Sequence, residues 1–193
     1  MTPTLAPVLA WLRHTRRPIV LAIVVVGATC AFACFVNPIH DQEVAALGPE
    51  TGGSPGPLHR PGQPCLVCHG GMGPASQVFS VAGTIYSVRP SAEPGVPPSG
   101  LQGAAVELVD SHDAGIGLGT NAAGNFYVSP GEYEPYWPLH ASVSQGTSSA
   151  TMIGHIGRNG SCAYCHVEPA SASSPGAVYL YYDQSSEPDG GAP

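Results

Sequence analysis

Through the middle of the chain, apolar and polar positions alternate in short runs broken by glycine and proline. Val78 to Tyr86 (V-F-S-V-A-G-T-I-Y) alternates well enough for a strand. Gly103 to Asp110 does so again, with Val106 and Leu108 on one face and Glu107 on the other. Thr120 to Val128 reads as a turn leading into a strand, and Leu139 to Val143, Thr151 to Ile156 and Ala177 to Tyr182 are further strand candidates. This pattern predicts a mainly β fold, a small β-sandwich, with Val81, Ile85, Val106, Leu108 and Phe126 in or near its core. Trp137, Tyr136 and Tyr133 are read first as aromatic packing of that core.

The patterning changes toward both ends. Arg13 to Arg17 form a basic region, followed by the apolar run Ile19 to Val26 and then Ala31 and Ala33 just before Cys34. This is the layout of an export signal. Three outcomes are open: cleavage before Cys34, lipidation of Cys34, or an uncleaved anchor over Pro18 to Val36. In each the body lies outside the cytoplasm, in the periplasm or cell envelope, because the positive flank stays inside. Residues 34–64 are rich in Pro and Gly and read as an extended tether, and residues 183–193 as a frayed polar tail. The expected organisation is thus 1–33 signal or anchor, 34–64 tether, 65–76 first motif segment, 77–160 sandwich, 161–182 second motif segment and closing strand, and 183–193 tail.

Composition sharpens this picture in two respects. Charged residues are only 10% of the 193, while Gly and Pro together occupy 25 + 21 = 46 positions, which favours strands and turns over long amphipathic helices. Lysine is absent, three of the six arginines precede the apolar run, and all thirteen acids follow it. The remainder therefore carries 3 − 13 = −10, which argues against nucleic acid as a partner.

The chemistry is carried by a repeated pentapeptide. Cys65-Leu66-Val67-Cys68-His69 returns as Cys162-Ala163-Tyr164-Cys165-His166, and the pair uses four of the six cysteines. C-x-x-C-H is the attachment signature of haem c: two thiols add to the haem vinyl groups and the adjacent histidine binds iron. One tight turn places both sulfurs along the porphyrin edge and the imidazole beneath the metal. The competing readings are a zinc site built from two C-x-x-C knuckles, or a redox-active dithiol. The zinc site needs no histidine after either pair, and the dithiol leaves the duplication unexplained. Haem is attached outside the bacterial cytoplasm by a dedicated maturation machinery, so the export signal and the motifs support each other.

Each low-spin iron needs a sixth donor besides His69 or His166. His59 lies six residues before Cys65 and is preferred over Met72, which follows His69 too closely to reach the opposite face. For the second motif, Met152 and His155 lie ten and seven residues before Cys162. His155 is preferred, because core packing is an ordinary fate for a methionine in an apolar strand.

The order V-x-G-T-I-Y, G-A-A-V-E-L-V-D, T-x-x-x-G-x-F resembles the carboxypeptidase regulatory-like (transthyretin-like) domain over about Val78 to Val143. Such modules are usually non-catalytic packing or adhesion units, so the resemblance implies no peptidase. The body as a whole resembles small exported cytochrome c-like proteins in which two C-x-x-C-H motifs bracket such a domain. The expectation is an exported dihaem carrier of single electrons, with redox proteins as partners. The alternatives are a peroxidase-like enzyme with an open iron and a haem-stabilised surface adhesion protein.

Overall fold

A computed structural model describes Ala22 and residues 24–27, 37–50, 55–88 and 98–181. The chain forms two compact units, Met1–Gln42 and Glu43–Pro193. Ala22 and residues 24–27 are helical, and among the described residues no helix is long and apolar enough to cross a membrane. Cys34, the cleavage pattern before it, half of the apolar run and the tail 183–193 lie outside the described residues.

The extended tether expected over 34–64 is partly folded. Pro38–Ala46 is a helix, α1, because its start is well specified. Pro38 occupies the first helical position, where its missing N–H costs nothing, and the Asn37 side-chain oxygen accepts from the His40 amide at 3.2 Å. Residues 55–64 turn repeatedly and are fastened down. The Arg60 guanidinium donates to the Leu47 and Gly48 carbonyls at 3.3 and 2.9 Å and to Gln63 Oε1 at 2.8 Å.

The rest is mainly β. Among the described residues seven strands form two sheets: β1 (Val81–Val88), β2 (Ala105–Asp110), β3 (Gly115–Gly119), β4 (Asn125–Val128), β5 (Leu139–Gln145), β6 (Ser148–Thr151) and β7 (Val178–Tyr181). One sheet has the order β4-β1-β7, with β4 antiparallel and β7 parallel to β1. The other, β3-β2-β5-β6, is antiparallel throughout. Alternation along the strands gives each sheet an apolar face, and residues of both enter one core. Val81, Ile85, Phe126, Val128 and Leu180 come from the first sheet, and Val106, Leu108, Leu139 and Val143 from the second. The five expected core residues are all buried, Val81 and Leu108 completely. Trp137 and Tyr133 pack against this core, whereas Tyr136 is exposed and stacks on His112 with ring centroids 4.2 Å apart.

Two strands differ from the expected set. β3 alternates glycine with Ile116 and Leu118, so its side chains give little strand signal, and pairing with β2 defines it. The candidate at Thr151 to Ile156 is displaced: β6 ends at Thr151, and Ile156 rejoins the sheet by a single bridge to Leu139.

The first six residues of β1 are all buried, which sets it apart from a strand with one wet face. Its apolar Val81 and Ile85 belong to the core, while Thr84 and Tyr86 point the other way. That second face is covered by the segment leading into the first pentapeptide. Along the edge of β1, the Ala82 amide donates to the Gly160 carbonyl at 2.9 Å, bringing in the second.

Candidate functional site

The two pentapeptides fold alike. In the first, helix α2 (Leu66–His69) begins at Cys65; the His69 amide donates to the Cys65 carbonyl at 2.9 Å and the Cys68 amide to the same oxygen at 3.1 Å. In the second, a 3₁₀ turn covers Cys162–Tyr164, and the His166 and Cys165 amides donate to the Cys162 carbonyl at 2.9 and 3.2 Å. Both pairs of cysteines are free thiols gathered on a single turn.

The histidines match more closely still. His69 Nδ1 lies 2.8 Å from the Gln77 carbonyl, and His166 Nδ1 lies 2.9 Å from the Gly176 carbonyl. A carbonyl only accepts, so both rings donate from Nδ1, and in the neutral ring the lone pair is then on Nε2. Holding the far nitrogen on a backbone carbonyl is how proteins orient a metal-ligating imidazole. His69 is 9% exposed and stacks on Phe79, with ring centroids 4.3 Å apart; Phe79 stacks in turn on Tyr127 at 4.6 Å.

His59 is brought to the first motif. Its ring centroid lies 5.8 Å from that of His69, and its Nδ1 lies against the Gly56 backbone. A buried polar chain fixes the turn that carries it. Thr84 Oγ1 accepts from the Gly62 amide at 2.8 Å and donates to Asn125 Oδ1 at 2.8 Å; Asn125 Nδ2 donates to the His59 carbonyl at 3.0 Å. Gly62 is required there. It has φ +76°, and an added Cβ would run into the Tyr86 hydroxyl. Met72 is 69% exposed and stays out of this arrangement.

Each motif opens onto a cavity. The first, about 780 Å³, is lined among others by His59, Arg60, Cys65, Cys68, His69 and Phe79. The second, about 320 Å³, lies at the core's edge against Met152, His155, Arg158, Cys162, Cys165 and His166. Both volumes fall in the range of about 300–1,000 Å³ usual for cofactor sites. The described residues include two arginines, and each lines one cavity. Met152 and His155 thus both reach the second cavity, where His155 Nε2 lies 3.0 Å from His140 Nε2, so that nitrogen is engaged while Nδ1 is not part of the contact.

Cys65 and Cys162 are not poised as nucleophiles. Burial pushes Cys65 up to about 11, with a smaller upward push from Cys68. It pushes Cys162 up to about 12, Cys65 adding to the effect. Redox-active dithiols instead need a lowered pKa. Nor do the four sulfurs converge: among the described residues no group of three or more His, Cys, Asp or Glu side chains is arranged to hold a metal ion. No family model, curated protein or solved structure matches the chain.

The sequence pointed to the cysteine and histidine positions but not to the groups that orient them. Gln77 and Gly176 act through backbone carbonyls, which carry no residue signature. Thr84 and Asn125 look like ordinary strand residues until the fold places the His59 turn over them.

Proposed function

We propose that this chain is an exported dihaem c-type cytochrome that passes single electrons between redox protein partners. The observation that carries the reading is the duplicated one: two C-x-x-C-H turns, each with its histidine held through Nδ1 on a backbone carbonyl and its Nε2 available to iron. Cys65 and Cys68 would bind one haem by thioether bonds, Cys162 and Cys165 the other, with His69 and His166 as proximal ligands. Bound haem iron supplies a one-electron couple, tuned by its axial ligands and their hydrogen bonds. Arg60 and Arg158 give each cavity a cation for an anionic group, as the haem propionates require.

His59 is the sixth ligand of choice at the first site. His59 would hold the iron from a turn that brings its ring centroid to 5.8 Å from that of His69. At the second site the donors are Met152 and His155. The contact between His155 and His140 favours Met152 unless haem loading frees the imidazole. Among the described residues the zinc reading lacks convergent donors, and the dithiol reading finds Cys65 and Cys162 pushed up rather than activated.

The partners follow from the same reading: redox proteins, the haem maturation machinery, and a membrane if the N-terminal segment or a lipid on Cys34 retains the body there. A peroxidase-like reading has one observation in its favour, the engagement of His155 with His140, since an iron left without a sixth donor is open to substrate. Absorption spectra of the oxidised and reduced holoprotein, with and without carbon monoxide, separate the two. A carrier gives two low-spin haems indifferent to carbon monoxide, and rapid binding without mutation points to the enzyme.

A further inference from the structure

We propose that the two haem sites share one thin partition, β1 at Gly83 and Thr84 with the ring of Phe126, and so form a single electronically coupled pair. The inference rests on the dihaem reading above.

Phe126 lines both cavities, and no other residue is common to the two sets of walls. It sits on β4, paired with Gly83 of β1. Gly83 is the closest point of approach. A Cβ there would lie 2.8 Å from Cys162 Sγ and 2.8 Å from the tip of the Phe126 ring, so only glycine lets the second motif press against the strand. The next residue, Thr84, points to the opposite face and takes the Gly62 amide at 2.8 Å, three residues before Cys65. The second motif and the turn leading into the first therefore meet adjacent residues of one strand from opposite faces, and the Ala82–Ser161 bridge fixes the register of the second along it.

The chemistry of a coupled pair is simple. With haem held at both sites, β1 at Gly83 and the Phe126 ring would separate donor from acceptor for a single electron, one iron being oxidised as the other is reduced, with no proton and no further reactant. Partners can then deliver the electron at one site and collect it at the other.

The test is Soret circular dichroism of the reduced holoprotein, with haem content checked by intact mass. Coupled haems give a bisignate couplet. It should vanish in the single-haem proteins Cys65→Ala/Cys68→Ala and Cys162→Ala/Cys165→Ala, and the sum of their spectra should not reproduce it. Two covalent haems whose spectrum equals that sum overturn the partition but leave the dihaem reading intact. Absence of covalent haem overturns both. Should a single-haem variant fail to fold, electron paramagnetic resonance of the oxidised wild type decides the matter. Broadened, interacting ferric signals are expected, whereas two full-intensity isolated signals overturn the proposal.

Discussion

Replacing Asn125 with alanine strikes the link between the fold and the first site. Asn125 is buried on β4, accepts from the Thr84 hydroxyl at 2.8 Å, and donates to the His59 carbonyl at 3.0 Å and more weakly to the Pro57 carbonyl at 3.4 Å. The variant leaves a buried hydroxyl and the His59 carbonyl each without that partner. Stranding such a group costs about 1–3 kcal/mol, so Asn125→Ala should lose about 2–4 kcal/mol in urea denaturation. Against a total stability of about 5–15 kcal/mol the protein should still fold. The more telling effect is local. With the His59 turn released, the first iron should lose its sixth donor and bind carbon monoxide, while the second remains as in wild type. A loss under about 1 kcal/mol with unchanged carbon monoxide binding would refute the claim that this chain of hydrogen bonds holds His59 in place.

Three further outcomes follow from the same structure. Leu108 is fully buried in the middle of β2, so Leu108→Ala should cost about 2–5 kcal/mol in the same assay without changing the haem spectrum. Asp110 accepts from the Tyr136, His112 and Ala114 amides at 3.0, 2.8 and 3.0 Å, and these bonds, Tyr136 foremost, hold its carboxyl below the usual range. A depressed folded pKa gives stability that is present above the unfolded value of about 3.9 and is lost as pH falls through the folded one. Denaturation between pH 7 and pH 3 should show that acid-side loss in wild type and a smaller one in Asp110→Asn. Third, His59→Ala should make only the first haem reactive to carbon monoxide, which separates a ligand from a packing residue.

Much of this molecule is legible in the chain, and the illegible parts share a cause. The strand over Ala105–Asp110 is written in Val106 and Leu108, because a half-buried strand imposes period two on its own residues. The pentapeptides are legible because C-x-x-C-H sets fixed residue types at fixed spacing, the signature of the attachment chemistry proposed for them. β3 is hidden, since Gly115, Gly117 and Gly119 have no side chains to alternate and the strand forms against β2. α1 is hidden because it lies in a proline-rich segment that signals breaks, although Asn37-Pro38 is also a sound helix start. The role of Gly83 and Thr84 depends on two segments, one before β1 and one long after it, closing on the same strand. Nothing local encodes that. The pairing of His140 with His155 likewise joins β5 to a loop fifteen residues away and becomes visible only when the sheet forms.

Covalent haem content is the most direct test of the account. The full chain should be produced in a host with cytochrome c assembly machinery, and its intact mass measured under denaturing conditions that strip non-covalent ligands. The account predicts the processed polypeptide plus two haem masses, falling to one when either Cys65 and Cys68 or Cys162 and Cys165 are replaced by alanine. A folded product with no covalent haem, or one loaded with zinc through its cysteines, would contradict it.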